Sequence, residues 1–81
     1  MAELKPLKTK YTHVRFMASG HEWFCKQRKE RSKYYLGRVV YYERWKCHLF
    51  TAHQYAAFSP GCLRDIADFM QQLDERKTDA D

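Results

Sequence analysis

The run from Lys33 to Phe58, KYYLGRVVYYERWKCHLFTAHQYAAF, is dense in aromatic and β-branched residues and threaded with basic ones, and it leads directly into a capped amphipathic segment at Ser59. Such side chains fit a pleated, half-buried surface, so the run reads as consecutive strands feeding one helix. Tyr34 to Tyr42 is the clearest strand, with Leu36 and Val40 on one face and Val39 and Tyr41 on the other. Gly37 in its interior marks a bulge or the close approach of another backbone. Glu43-Arg44 offers a tight turn. Trp45, Cys47 and Leu49 then alternate against Lys46 and His48, which predicts a half-buried antiparallel strand with the first three inward. Tyr55 to Phe58 reads as a short fifth strand or an extended lead-in to the helix.

Upstream, Thr9 to Ala18 alternates with period two, placing Val14, Phe16 and Ala18 on one face and Tyr11, His13, Arg15 and Met17 on the other. Ser19-Gly20 is a turn signal. Glu22 to Arg28 then reads as a second strand, Trp23 and Cys25 facing one way and Phe24 and Lys26 the other. A helix over about 22–33 competes, because the stretch is rich in helix formers and has no Pro. The strand is preferred because the Gly20 turn folds it back as a hairpin, leaving Lys26 to Lys33 as a basic tip.

Ser59 is a good N-cap, and Pro60 follows at the first helical position, where its missing N–H costs nothing. Leu63, Ile66, Ala67, Met70 and Leu73 recur at intervals of three and four, with Phe69 widening the stripe, and the pattern is lost at Asp74. The expected fold class is therefore α+β: a small antiparallel sheet of four to five strands followed by one C-terminal helix packed on one face. Residues 1–8 are expected to form a flexible N-terminus, 9–73 a single domain, and 74–81 a flexible acidic tail.

A domain of this size buries only roughly 60% of the surface its unfolded chain exposes. A hydrophobic content of 44%, with 16% aromatic residues, offsets this by concentrating large side chains in few positions. Homodimer formation is the other common remedy and is carried as an expectation. Three cysteines, Cys25, Cys47 and Cys62, without paired spacing, no secretory h-region and no apolar stretch of about 20 residues point to a reduced cytoplasmic protein away from membranes.

Net charge is +5 but segregated. Residues 1–58 hold 12 Lys/Arg against 4 Asp/Glu, and residues 59–81 hold 3 against 6. A basic sheet with outward aromatic rings suits single-stranded nucleic acid, which is held by cations along its phosphates and by rings under its bases. The candidate binding residues are Arg15, Lys26, Arg28, Lys29, Arg31, Lys33, Tyr35, Arg38, Tyr41, Arg44 and Lys46, with Tyr11 and His48 among the outward positions. The same aromatic and Arg-rich composition also suits a protein partner.

The remaining chemistry is sparse. No CxxC or HxxxH pair stands among the cysteines and histidines, so no metal site or cofactor is expected. Cys62 falls in the first helical turn, where thiolate is favoured, yet a catalytic cysteine also needs a histidine base oriented by a third group. His48 or His53 could supply that base, but no known nucleophile motif surrounds SPGCLRD, and packing under the sheet is the preferred role for this thiol. Scattered carboxylates and isolated glycines give no acid/base pair and no phosphate loop, so the expectation is a non-enzyme. The sheet-then-helix order is similar in outline to small single-strand-binding transcription cofactors, without a motif shared residue by residue. In size and aromatic density the chain also resembles small phage and mobile-element proteins, among them anti-CRISPR proteins. That resemblance implies an inhibitor or adaptor that occupies a surface on a host protein or nucleoprotein complex.

Overall fold

Period-two alternation gives each strand one apolar side, and cross-strand pairing decides whether those sides coincide. The computed structural model describes residues 6–28 and 35–79. Its strands are β1 (Val14–Ser19), β2 (Glu22–Gln27), β3 (Gly37–Tyr42) and β4 (Cys47–Ala52), followed by helix α1 (Pro60–Asp79). They form an antiparallel meander in the order β1-β2-β3-β4. Phe16 pairs with Cys25, Trp23 with Val39 and Val39 with Phe50, so these side chains share the face that α1 covers. The 22–27 segment is thus a strand, and the helical alternative does not form.

Ser59 caps α1 as expected, its Oγ accepting from the Cys62 N–H at 3.1 Å. The buried stripe of α1 is Cys62, Ile66, Phe69 and Leu73, spaced by four, three and four. Phe69 has no exposed surface. Its ring stacks on Phe16 at 3.9 Å between centroids and meets Trp23 edge-on at 5.1 Å. Leu63 and Ala67, placed in the stripe by sequence spacing, are exposed. The sheet meets the helix along a line rotated toward Cys62 and Phe69, which turns Leu63 out to 53% exposure.

Polar clasps flank this apolar seam. The backbone N–H and ring Nδ1 of His13 both point at Asp65 Oδ2, at 3.0 and 3.2 Å. His48 repeats the arrangement on Asp74 Oδ1, at 2.8 and 2.7 Å. Each imidazole facing a carboxylate in this way must carry its proton on Nδ1. Tyr11 donates its hydroxyl to Asp68 Oδ2 at 2.7 Å. Gln72 exchanges two hydrogen bonds with the backbone of Lys8.

Three further expectations change. The first strand starts at Val14, because Tyr11 N–H donates to the Val14 carbonyl and Lys10 bridges Arg15, folding residues 10–15 into a turn. That turn buries Tyr11 instead of exposing it. Trp45, Cys47 and Leu49 do not face inward: the turn runs over residues 43–46 and closes through Lys46 at φ 54°, so β4 begins at Cys47. With Tyr42 paired to Cys47, His48 and Phe50 face the helix, Cys47 and Leu49 face away, and Trp45 stands 65% exposed in the turn. Of the two readings of Tyr55 to Phe58, the extended lead-in is the one that forms, with Phe58 edge-on to Phe50 at 5.6 Å. Finally, α1 runs on to Asp79, past Leu73 where the apolar stripe ends.

Phe69→Ala should cost about 3–5 kcal/mol, as a large aromatic ring leaves a cavity under the sheet. Leu63→Ala should stay within about 0.5 kcal/mol, as expected of an exposed site. Urea unfolding of the two variants measures both, and equal losses would mean the buried face of α1 is misassigned.

Candidate binding face

The register that builds the core also builds its opposite. Arg15, Met17, Glu22, Phe24, Lys26, Arg38, Val40, Tyr42, Cys47, Leu49 and Thr51 alternate with the core positions and face away from α1. No described element covers them. Arg15 is the cross-strand partner of Lys26, and Phe24 is the partner of Arg38.

Tyr35 joins this face through an irregularity. Gly37 is the Cα partner of Cys25, yet the Leu36 N–H donates to the same Cys25 carbonyl at 2.7 Å. Two residues thus oppose one, the arrangement of a β-bulge. The slip turns Leu36 into the core and leaves Tyr35 on the open side, its ring 4.5 Å from Phe24 with the Lys26 ammonium 4.9 Å above it. Only glycine fits at 37, because a Cβ there would collide with the Thr51 carbonyl and the Phe50 ring. Phe24, Tyr35, Arg38, Thr51, Ala52 and His53 line a shallow depression of about 210 Å³. Arg38 also bridges to Glu22 at 3.3 Å, an exposed pair.

The eleven candidates therefore do not form one patch. Arg15, Lys26, Tyr35 and Arg38 come together on the open face. Tyr41 lies on the helix side with Val39, its ring edge-on to His48 at 5.3 Å. Arg28 turns away to donate to the Tyr11 carbonyl at 2.9 Å. Arg44 and Lys46 occupy the β3–β4 turn at the far end, roughly 20 Å along six-residue strands. Lys29, Arg31 and Lys33 lie outside the described residues. Phe24 is the open-face ring missing from that set, although its alternation with Trp23 and Cys25 already placed it beside Lys26.

A second depression, about 340 Å³, lies at the start of α1 between Thr12, His13, Gln27, Arg28 and Cys62. His13, not His48 or His53, comes to the helix N-terminus, its imidazole against Gly61 and oriented by Asp65. Among the described residues no hydrogen bond joins the Cys62 thiol to that ring, so the nucleophile–base contact is not made. Burial, helped by the nearby Cys62, pushes the Cys25 thiol up to about 12. Burial first, and the Asp68 hydrogen bond second, hold the Tyr11 hydroxyl above its ordinary range. Among the described residues no group of His, Cys, Asp and Glu is arranged to hold a metal ion, and no helix is long and apolar enough to cross a membrane.

No family model, curated protein or solved structure matches this chain.

The raised groups predict alkaline sensitivity. Unfolded Cys25 ionises near 9 and unfolded Tyr11 near 10, while the folded thiol stays neutral to about 12. The stability they contribute is whole below pH 9 and is lost as pH rises from there toward 12. Tyr11→Phe removes the tyrosine part, so its stability should fall less steeply between pH 10 and 12 in urea titrations. An unchanged slope would count against the buried hydroxyl.

Proposed function

We propose that the protein is a small, basic, non-catalytic binding module that takes nucleic acid on its open sheet face. The convergence of Phe24, Tyr35, Lys26 and Arg38, with Arg15 alongside, on one end of an uncovered sheet carries this reading. Rings under bases and cations beside phosphates are the two ingredients of non-specific single-strand binding. Glu22 is the sole carboxylate among the strand residues of that face, and Arg38 already engages it.

The other end of the same face favours a second reading. Val40, Tyr42, Cys47 and Leu49 form an apolar stretch, and Trp45 stands edge-on to Tyr42 at 5.2 Å. Half-exposed aliphatic and aromatic side chains of this kind suit the centre of a protein interface. A phage-type inhibitor or adaptor would seat a host protein there, and a homodimer would use the same surface. We place the protein in the cytoplasm on the strength of three free cysteines, Cys25, Cys47 and Cys62.

A labelled oligonucleotide titrated at about 50 mM salt and above tests the first reading, because neutralised phosphates release counterions. The double variant Lys26→Gln/Arg38→Gln should stay folded and flatten the plot of log affinity against log salt by about 1.4 for a single strand. Undetectable binding at low salt would sink the nucleic-acid reading. Capture from the host of a stoichiometric protein partner that survives nuclease, lost in Leu49→Glu, would establish the second.

A further inference from the structure

We infer that the depression beside Phe24 and Tyr35 is a subsite for one unpaired base of a single-stranded nucleic acid, which deepens the nucleic-acid reading and rests on it. At about 210 Å³ the depression falls below the roughly 300–1,000 Å³ of a drug-sized ligand site and suits one flat ring system. Its wall is the Phe24–Tyr35 pair, tilted by 36°, and Tyr35 is 36% exposed. Every base has a π-face, so such a wall binds bases without reading their edges. A duplex keeps its bases stacked on each other and offers this wall nothing.

The polar groups around the depression separate by role. Arg38 lines it and Lys26 lies over the Tyr35 ring, so both cations stand where the phosphates flanking a stacked base would pass. Arg15, across from Lys26, continues that path toward β1. The contact of Arg38 with Glu22 is long, at 3.3 and 3.5 Å, and exposed. Exposed pairs of this kind contribute little, so a phosphate can replace the carboxylate without a large penalty. Glu22 is then a built-in competitor for the cation that the strand needs. The Thr51 hydroxyl and His53 ring on the rim supply hydrogen-bonding groups without imposing one base.

Fluorescence polarisation with three probes of about 12 units tests this: a deoxythymidine strand, an abasic strand of equal phosphate count, and a duplex. The thymidine strand should bind roughly 5- to 150-fold more tightly than the abasic strand, the range expected for stacking one base. Tyr35→Ala should bring the thymidine strand down to the abasic level and leave the abasic strand unchanged, whereas Tyr35→Phe should retain stacking. Arg38→Gln should weaken all three probes, and Glu22→Gln should tighten them. Equal affinity for the thymidine and abasic strands, or a Tyr35→Ala variant that still distinguishes them, overturns the base subsite while leaving phosphate binding intact. Failure of all three probes at about 50 mM salt would overturn the nucleic-acid reading itself. Melting curves of each variant confirm that the losses are not unfolding, and Glu22→Gln, a predicted gain, cannot arise from it.

Discussion

The stacking of Phe69 on Phe16 sets where everything else lies. A sheet of four short strands and one helix has few large side chains to spend, and this pair sits at the centre with Trp23 against its edge. Once the two rings are face to face, the helix can rotate little about its axis. Cys62, Ile66 and Leu73 must then point down and Leu63 must point out. The three carboxylates Asp65, Asp68 and Asp74 fall along the flanks of the seam, where they meet His13, Tyr11 and His48. Hydrogen bonds to charged acceptors contribute about 1.5–3 kcal/mol each at best, less where solvent competes. Their larger effect is to fix the sliding of helix against sheet.

That seam also explains the segregation of charge. The acidic residues of the helix turn partly inward to the sheet's rim, while the cations Arg15, Lys26 and Arg38 stand on the opposite side of the sheet. A single layer of backbone thus separates a carboxylate-rich flank from a cationic face. Asp74 serves a second purpose at the sheet's edge. β4 is an edge strand, and the outward N–H of His48 would invite pairing with another chain. The Asp74 carboxylate accepts it, so part of the edge is closed by the same residue that anchors the helix.

Much of this architecture was legible in the sequence. Period-two alternation from Val14 and from Trp23, the Gly20 turn, and the Ser59-Pro60 cap each rest on local chemistry, and each survives in the fold. The misplacements at Trp45–Phe50 and at Tyr11 share one cause: a polar side chain turned inward onto a carboxylate far away in the chain. In Trp45–Phe50 the alternation Trp45/Cys47/Leu49 is more apolar than Lys46/His48/Phe50, so pattern alone sends Cys47 and Leu49 inward, whereas in the fold His48 and Phe50 face the helix. The choice falls to the Lys46 left-handed turn and to Asp74, which makes a histidine acceptable inward. Tyr11 went astray for a similar reason, since its hydroxyl needs an acceptor that lies 57 residues away in the chain. Of the candidate face, Arg15, Lys26 and Arg38 followed from alternation alone; the place of Tyr35 depends on a one-residue slip that the interior Gly37 signals without giving its direction.

The slip at Leu36-Gly37 links the fold to the proposed function. An uninterrupted β3 would carry Leu36 onto the open face and send Tyr35 to the helix side. The bulge reverses both, and it needs a residue without a side chain at 37 because the Thr51 carbonyl and Phe50 ring already fill that space. Leu36 thereby adds to a core with little apolar area to spare, and the open face receives a tyrosine beside Phe24 and Lys26. An aromatic pair left partly in water forgoes burial that a core this small could use. Its place beside Lys26 and Arg38 is the arrangement that the proposed anionic, ring-bearing ligand would need.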